Sequence, residues 1–174
     1  DIIKLTQLDS GEIPYDSSTV ELYEIVCQTA ERLSQLAASR GITITTDGTA
    51  VFTRGNRRIL EEMIYNICDN AIKYNRDGGY VKLITRNDGE TATVICEDTG
   101  IGIPKELQNR VFERFFRVDK SHSREIGGTG LGLSIVKHGA AYHGASVLLE
   151  STENVGTKIT LIFPATAGET VNSD

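Results

Sequence analysis

Apolar positions along this chain recur with two periods, and the switches between them outline its elements. Residues 1–10 carry apolar side chains at 2, 3, 5 and 8, a helical spacing that stops at Ser10-Gly11. Residues 13–18 read as a short extended piece around Pro14. Over residues 19–40, Val20, Leu22, Ile25, Val26, Ala30, Leu33, Leu36 and Ala37 form one stripe, which predicts an amphipathic helix with Gly41 as its stop. Residues 42–45 and 50–53 change to strand character, with Asp47-Gly48 as the turn of a hairpin. Asn56 is suited to cap a long helix running to about Tyr74, whose core stripe is Leu60, Ile64, Ile67 and Ala71.

Arg76-Asp77-Gly78-Gly79 ends that helix, and two strands follow, 80–86 and 91–97, joined through Asn87-Asp88-Gly89. Residues 105–117 are helical in part, and 118–130 are polar and glycine-bearing, a pattern that predicts a mobile loop. Residues 131–143 predict a helix stopped by Gly144, and 145–151 with 157–163 a second hairpin. The tail after Pro164 is small and polar, which predicts disorder. Hairpins interleaved with helices give an α/β (α+β) architecture. It is a two-layer sandwich, with a mixed, mostly antiparallel sheet and the helices on one face.

Composition narrows the function classes. The chain of 174 residues is long enough for one domain with a substantial core. A net charge of −6 argues against a nucleic-acid footprint over the whole surface, although a local basic patch can still meet phosphate. No apolar run reaches the roughly 18 residues of a membrane span, and no signal peptide is visible. Cys27, Cys68 and Cys96 are odd in number and without C-x-x-C spacing, as expected of reduced structural thiols. The chain begins at Asp1 with no methionine, as a fragment or processed product does.

Three stretches could carry chemistry. Glu62, Asn66, Asn70 and Lys73 lie on one polar stripe of the second long helix, with Tyr74 at its border. Asparagine is a mediocre helix former, so two of them four apart suggest a purpose: an amide oxygen can ligate Mg²⁺ while phosphates and waters fill the other positions, and Lys73 can meet a phosphate. A solvated helix face has the same pattern. Gly127-Gly128-Thr129-Gly130-Leu131-Gly132-Leu133 runs straight into a helix and is by composition a phosphate cradle, although a plain hinge also fits. Asp98-Thr99-Gly100-Ile101-Gly102-Ile103-Pro104 puts a carboxylate and two glycines at a strand end, where the carboxylate can accept from a ligand amino group. Between them, Phe112, Phe115 and Phe116 can anchor a moving segment or pack in the core. Arg117, Lys120 and Arg124 could reach a phosphate or remain surface charges.

Asn66-x-x-x-Asn70-Ala71-x-Lys73-Tyr74, Asp98-x-Gly100-x-Gly102, Phe112-x-x-Phe115-Phe116 and Gly128-x-Gly130-Leu131-Gly132-Leu133 resemble, in that order, the N-box, first glycine box, F-box and second glycine box of sensor histidine kinases. Gly156-Thr157 is similar to the family's short final motif. The likeness covers residues 15–164 and implies the Bergerat ATP-binding sandwich, shared with type II topoisomerase, chaperone and mismatch-repair ATPases.

The resemblance implies a division of labour. Asp98 would accept the adenine amino group and so reject guanine, which has an acceptor oxygen there, with Thr157 supporting that end of the base. Asn70 would bind Mg²⁺, and Asn66 would sit where the related ATPases carry a water-activating glutamate. Lys73 and Tyr74 would contact phosphate, and Arg117 could reach it from its loop. Gly128, Thr129, Gly130, Leu131, Gly132 and Leu133 would close over the triphosphate, with Gly100, Gly102 and Ile103 lining the base end. Asn66, Asn70 and Lys73 would act catalytically by positioning and charge neutralisation. Asn75 departs from the family's usual Ser or Thr, and Glu62 has no role to match.

The nucleophile implied is a histidine on a separate dimerisation domain, and neither His122, His138 nor His143 has the acidic neighbour and downstream proline of that site. Residues 1–11, ending Leu8-Asp9-Ser10-Gly11, resemble the end of the hairpin helix that would carry it further upstream; residues 12–164 would be the catalytic domain and 165–174 the tail. A full protein of this kind would be a homodimer, pass phosphate to a response regulator, and hold this domain in the cytoplasm below an upstream membrane anchor. The rival expectations are an ATPase of the gyrase and chaperone kind, which would need a carboxylate at position 66, and a non-catalytic nucleotide-binding or interaction module, which would not keep the asparagines and glycines intact.

Overall fold

The computed structural model describes residues 18–118 and 128–168, with Thr6, Pro14 and Asp16. The expectations for a helix at 1–10, for most of the extended piece at 13–18, for Lys120, His122 and Arg124 in the loop at 118–130, and for the tail beyond 168 lie outside the described residues.

The first helix begins three residues later than its apolar stripe suggests. Thr19–Glu21 (β1) is a short strand antiparallel to Phe52–Arg54 (β3), and helix α1 occupies Leu22–Ser39. Val20 still points inward, because a strand residue and the following helix can feed the same core. Leu22, Ile25, Val26, Thr29, Leu33 and Ala37 are the buried face of α1. Gly41, at φ 62°, closes it, with the Ile42 amide returning to the Ala37 carbonyl at 2.9 Å.

The Asp47-Gly48 hairpin does not form. Thr43–Asp47 (β2) pairs in parallel with Tyr80–Asn87 (β4), not with β3. Gly48 has φ 130°, which is not a hairpin-turn value, and its bare Cα lets the chain lie against Thr85, where an added Cβ would stand 2.3 Å from Oγ1.

Asn56 caps Arg57–Lys73 (α2) as its side chain suggests: Oδ1 accepts from the Arg58 and Ile59 amides at 3.1 and 3.3 Å. Thr91–Asp98 (β5) forms the expected hairpin with β4. Gly132–Tyr142 (α3), Ser146–Thr152 (β6) and Gly156–Pro164 (β7) follow. Of residues 105–117, only Lys105–Leu107 are helical, as one 3₁₀ turn. The main sheet has the order β2-β4-β5-β7-β6, antiparallel except at β2–β4. Alternation on β5 turns Ala92, Val94 and Cys96 toward the helices, where they meet Leu60, Met63, Ile64 and Ile67 of α2 in one core. The tail is tied down at its start, where the Ala165 and Thr166 amides donate to the Glu90 and Phe52 carbonyls at 2.9 Å.

His143 fixes α3 against α2. It is 4% exposed; its Nδ1 donates to the Gly139 carbonyl at 2.7 Å, and its Nε2 accepts from the Asn56 amide at 3.1 Å. Desolvation lowers its pKa, so the ring is held neutral. It braces the helix as a neutral bridge and contributes no cation to the dipole. Gly55 gives it room: an added Cβ would sit 2.1 Å from the ring.

Candidate active site

A cavity of about 720 Å³ opens between α2, the ends of β5 and β7, and the start of α3. Fourteen of the sixteen residues singled out from the sequence line it: Asn66, Asn70, Lys73, Tyr74, Asp98, Gly102, Ile103, Arg117, Gly128, Thr129, Gly130, Gly132, Leu133 and Thr157. Gly100 and Leu131 do not. Gly100 is buried behind the wall, where an added Cβ would stand 2.4 Å from the Tyr74 carbonyl oxygen. Leu131 is 2% exposed and packs with Ile135 in a small separate apolar cluster, so it offers backbone only.

One end of the cavity belongs to Asp98. Its Oδ1 accepts from the Gly100 amide at 2.8 Å and the Thr157 amide at 3.2 Å; among the described residues Oδ2 accepts from none. The register makes this possible, since Asp98 and Thr157 are partners across β5–β7. Desolvation outweighs those two donors and pushes the carboxyl pKa up to about 6. A half-buried carboxylate with one oxygen saturated and the other unmet is matched to a donor on a ligand. Thr157 Oγ1 lies 2.9 Å from Ser151 Oγ.

The other end is built on α2. Asn66 Nδ2 donates to the Glu62 carbonyl at 2.8 Å, and its Oδ1 faces Gly132, where an added Cβ would come within 2.8 Å. Gly132 therefore lets the start of α3 approach α2. Asn70, one turn on, makes no side-chain hydrogen bond among the described residues. Lys73 Nζ is 2.7 Å from Asp69 Oδ2. Among the described residues no side chain caps α3, whose first residues, Gly132 and Leu133, line the cavity.

The glycines divide by purpose. Gly102, at φ 67°, abuts the Thr152 carbonyl, and Gly130, at φ 71°, abuts the Phe115 backbone. Both serve the packing of the loops on each other. The three phenylalanines also divide: Phe116 lines the cavity under Arg110, whose guanidinium lies 4.5 Å from the ring centroid, Phe112 is half-buried, and Phe115 is 61% exposed at φ 60°.

Several lining residues were not foreseen. Asp69 had a signal, since it stands four residues before Lys73 on the helix. Arg40, which donates to the Ile72 and Lys73 carbonyls at the end of α2, had none, because it comes from α1. Asn75 is buried and spent on structure, donating to the Tyr80 carbonyl at 2.9 Å and accepting from the Arg76 amide.

The model of the histidine kinase-, DNA gyrase B- and HSP90-like ATPases matches residues 55–167, which contain this whole cavity except Arg40. The chain belongs to that family, as an ATP-binding catalytic domain of the sensor histidine kinase type. It is 42% identical over 165 residues to the sensor-like histidine kinase SenX3 of Mycolicibacterium smegmatis, covering 94% of this chain and 43% of that protein. The mycobacterial sensor histidine kinase MprB structure is similar at 29% identity and a TM-score of 0.73, over 86% of this chain and 97% of that one. The full-length ShkA structure shares the fold, with a TM-score of 0.83 over 97% of this chain and 35% of that one at 24% identity. This chain spans about two fifths of the length of these curated relatives. No helix among its described residues is long and apolar enough to cross a membrane.

Proposed function

We propose that the cavity binds Mg·ATP with the base at Asp98 and the phosphates between α2 and the start of α3, and that the domain presents the γ-phosphoryl group to a histidine of a separate domain. The observation that carries this is the half-satisfied Asp98 carboxylate at one end of a cavity whose other end holds the Asn70 amide, without a side-chain hydrogen bond among the described residues. Asp98 Oδ2 accepts from the adenine amino group, and guanine would set a carbonyl oxygen against it.

The donor set fits Mg²⁺ brought in by the nucleotide. Among the described residues no three His, Cys, Asp or Glu side chains could hold a metal by themselves. One hard neutral oxygen, that of Asn70, suits an ion that keeps waters and phosphate oxygens as its other ligands. When bound, the ion would neutralise charge on the β- and γ-phosphates. Lys73, released from or shared with Asp69, meets phosphate as a point charge, with Arg117 and the N-terminal end of α3 beside it.

The same geometry disfavours hydrolysis. Asn66 is a neutral amide already donating to the Glu62 carbonyl, and Asp98 is assigned to the base end. Neither Asn66 nor Asn70 can take a proton from water, so phosphoryl transfer waits for an incoming nucleophile. His143 is excluded from that role, since it is buried with both nitrogens engaged.

On this reading the partners are the protein's own dimerisation and phospho-acceptor domain, a second copy, and a response regulator, with membrane attachment through segments beyond this chain. Incubation with γ-labelled ATP and Mg²⁺ tests it, with and without an added helical-hairpin domain bearing an acceptor histidine. Label should appear on the hairpin alone; strong labelling of this chain by itself would overturn the reading.

A further inference from the structure

The last turn of α2 is by itself a poor place for a phosphate. A helix carries roughly half a negative charge at its C-terminal end, on carbonyls that the helix does not satisfy. Asn70, Lys73 and Tyr74, from that turn and its cap, all line the cavity. Lys73 is the basic side chain of that turn, and its charge is already matched by Asp69, 2.7 Å away. With that pair cancelled, α2 alone leaves this wall negative.

The missing positive charge comes from α1. Arg40, the residue that caps the end of α1, also lines the cavity. Its Nη1 donates to the Ile72 carbonyl at 2.8 Å and to the Lys73 carbonyl at 2.5 Å. A guanidinium stays protonated, and among the described residues no carboxylate pairs with this one. A full positive charge therefore sits on carbonyls that carry a fraction of a negative one, and the helix end becomes net positive. The backbone puts it there. The Arg40 amide donates to the Ala37 carbonyl at 3.1 Å, and the Gly41 carbonyl accepts from the Gly78 amide at 3.2 Å. The Thr43 amide donates to the Gly79 carbonyl at 2.9 Å, so the end of α1 is fastened to the loop that follows α2.

We infer that Arg40 is a positioning residue for the polyphosphate: it turns the C-terminal end of α2 from a negative wall into a positive one, so that binding strengthens with each phosphate added. This rests on the proposed placement of the phosphates beside α2. Arg40 stands outside the matched stretch 55–167 and outside all the motifs read from the sequence. A purely structural Arg40 would act differently. It would clip α1 to α2 and steady the turn in which the Tyr74 carbonyl accepts from the Ile101 amide at 3.0 Å, and its loss would weaken every adenine ligand alike.

The test is calorimetry of adenosine, AMP, ADP and ATP at fixed Mg²⁺ and low salt, the weaker ligands read by displacement, on the whole chain and on Arg40→Gln, Arg40→Ala and Arg40→Lys. Wild-type affinity should rise along the series. The two neutral variants should bind adenosine within about twofold of wild type and ATP about five- to tenfold more weakly, with AMP and ADP between. That deficit should shrink as salt rises to about 0.5 M. Arg40→Lys keeps the charge and should stay within about twofold of wild type throughout. Gln and Ala carry the same expectation, so one of them failing to fold leaves the other to decide. Unchanged ATP affinity in the neutral variants, or an equal loss for all four ligands that salt does not alter, would overturn the inference; the second result would leave Arg40 as a clip between helices. A wild-type affinity that does not rise with phosphate number would instead overturn the placement of the phosphates beside α2, and the role of Arg40 with it.

Discussion

At the Asp98 end of the cavity every contact is made within the sheet and its turns: two amides on one carboxylate oxygen, and Ser151 and Gln108 holding the turn after β5. At the α2 end the groups that matter, Asn66 to Lys73, are spread over about two helical turns and are held loosely or by each other. Asn70 has no side-chain partner among the described residues, and Lys73 is held by Asp69. The difference matches the two loads of the proposed complex. A base edge is rigid and is read by fixed donors and acceptors, so pre-formed geometry favours it. A triphosphate with its cation is a dense, mobile charge, and groups that can change partner follow it better than groups locked in place.

Breaking the base end should have the largest effect. Asp98→Asn keeps an oxygen for the Gly100 and Thr157 amides but turns an N–H₂ toward the adenine amino group. ATP affinity should fall by about 100-fold, the consequence of one lost bond and one donor–donor clash. The same substitution should stabilise the empty domain. Burial raises the Asp98 pKa from 3.8 to about 6, so the folded state holds the proton more tightly than the unfolded chain. Its stability contribution is therefore present below pH 3.8 and is lost as pH rises through 6, leaving the charged group costing about 3 kcal/mol at neutral pH. Urea unfolding of wild type and Asp98→Asn from pH 4 to 8 checks this. The difference should favour the variant increasingly up to pH 6 and then level off; a variant less stable than wild type at pH 7.5 contradicts it.

The α2 end breaks more gently. Asn70→Ala should remove the gain in ATP affinity that Mg²⁺ brings, about 10- to 100-fold, and leave Mg²⁺-free binding within about threefold. Calorimetry with Mg²⁺ and with a chelator separates the two. If Asn70→Ala loses equal affinity in both, Asn70 is not the cation's ligand.

Away from both ends, His143→Ala tests the brace. It leaves the Asn56 amide and the Gly139 turn without partners and opens a cavity beside Phe163, 6.1 Å from the imidazole, so it should cost about 2–4 kcal/mol of stability. Because the folded ring has a pKa below its ordinary 6.5, the unfolded chain takes up the proton first. The stability it contributes is complete above pH 6.5 and falls as pH drops below that value. A stability difference between wild type and variant that does not shrink on acidification contradicts the neutral bridge.

The smallest effect is expected at Asp69. Asp69→Asn releases Lys73 and removes a negative charge near the phosphates, which should tighten ATP by about threefold at low salt and less at high salt. Weaker binding would mean that Lys73 needs Asp69 to be aimed.

Much of this site was legible in the chain because its parts lie on regular elements. Asn66, Asn70 and Lys73 follow from helical spacing, and the two later hairpins from alternation and turn residues. The misses share one cause, which is that sequence spacing reports neighbours within an element. β2 looked like half of a local hairpin because Asp47-Gly48 is a local signal, while its partner β4 lies beyond a whole helix. Arg40 and Ser151 reach the site from α1 and β6, and only the pairing of β6 with β7 sets Ser151 against Thr157. Gly100 and Gly102 looked like room for a ligand, yet they make room for the Tyr74 and Thr152 carbonyls. A glycine marks a close approach without naming what approaches.

In the proposed complex the base and the cation occupy opposite ends of this cavity, at Asp98 and Asn70. A crystal structure of the chain with Mg²⁺ and a non-hydrolysable ATP analogue tests it most directly. The adenine amino nitrogen should lie within hydrogen-bond distance of Asp98 Oδ2, and the Asn70 amide oxygen about 2.1 Å from the ion. An analogue bound with its base away from Asp98, or an ion with Asn70 outside its coordination sphere, would contradict it.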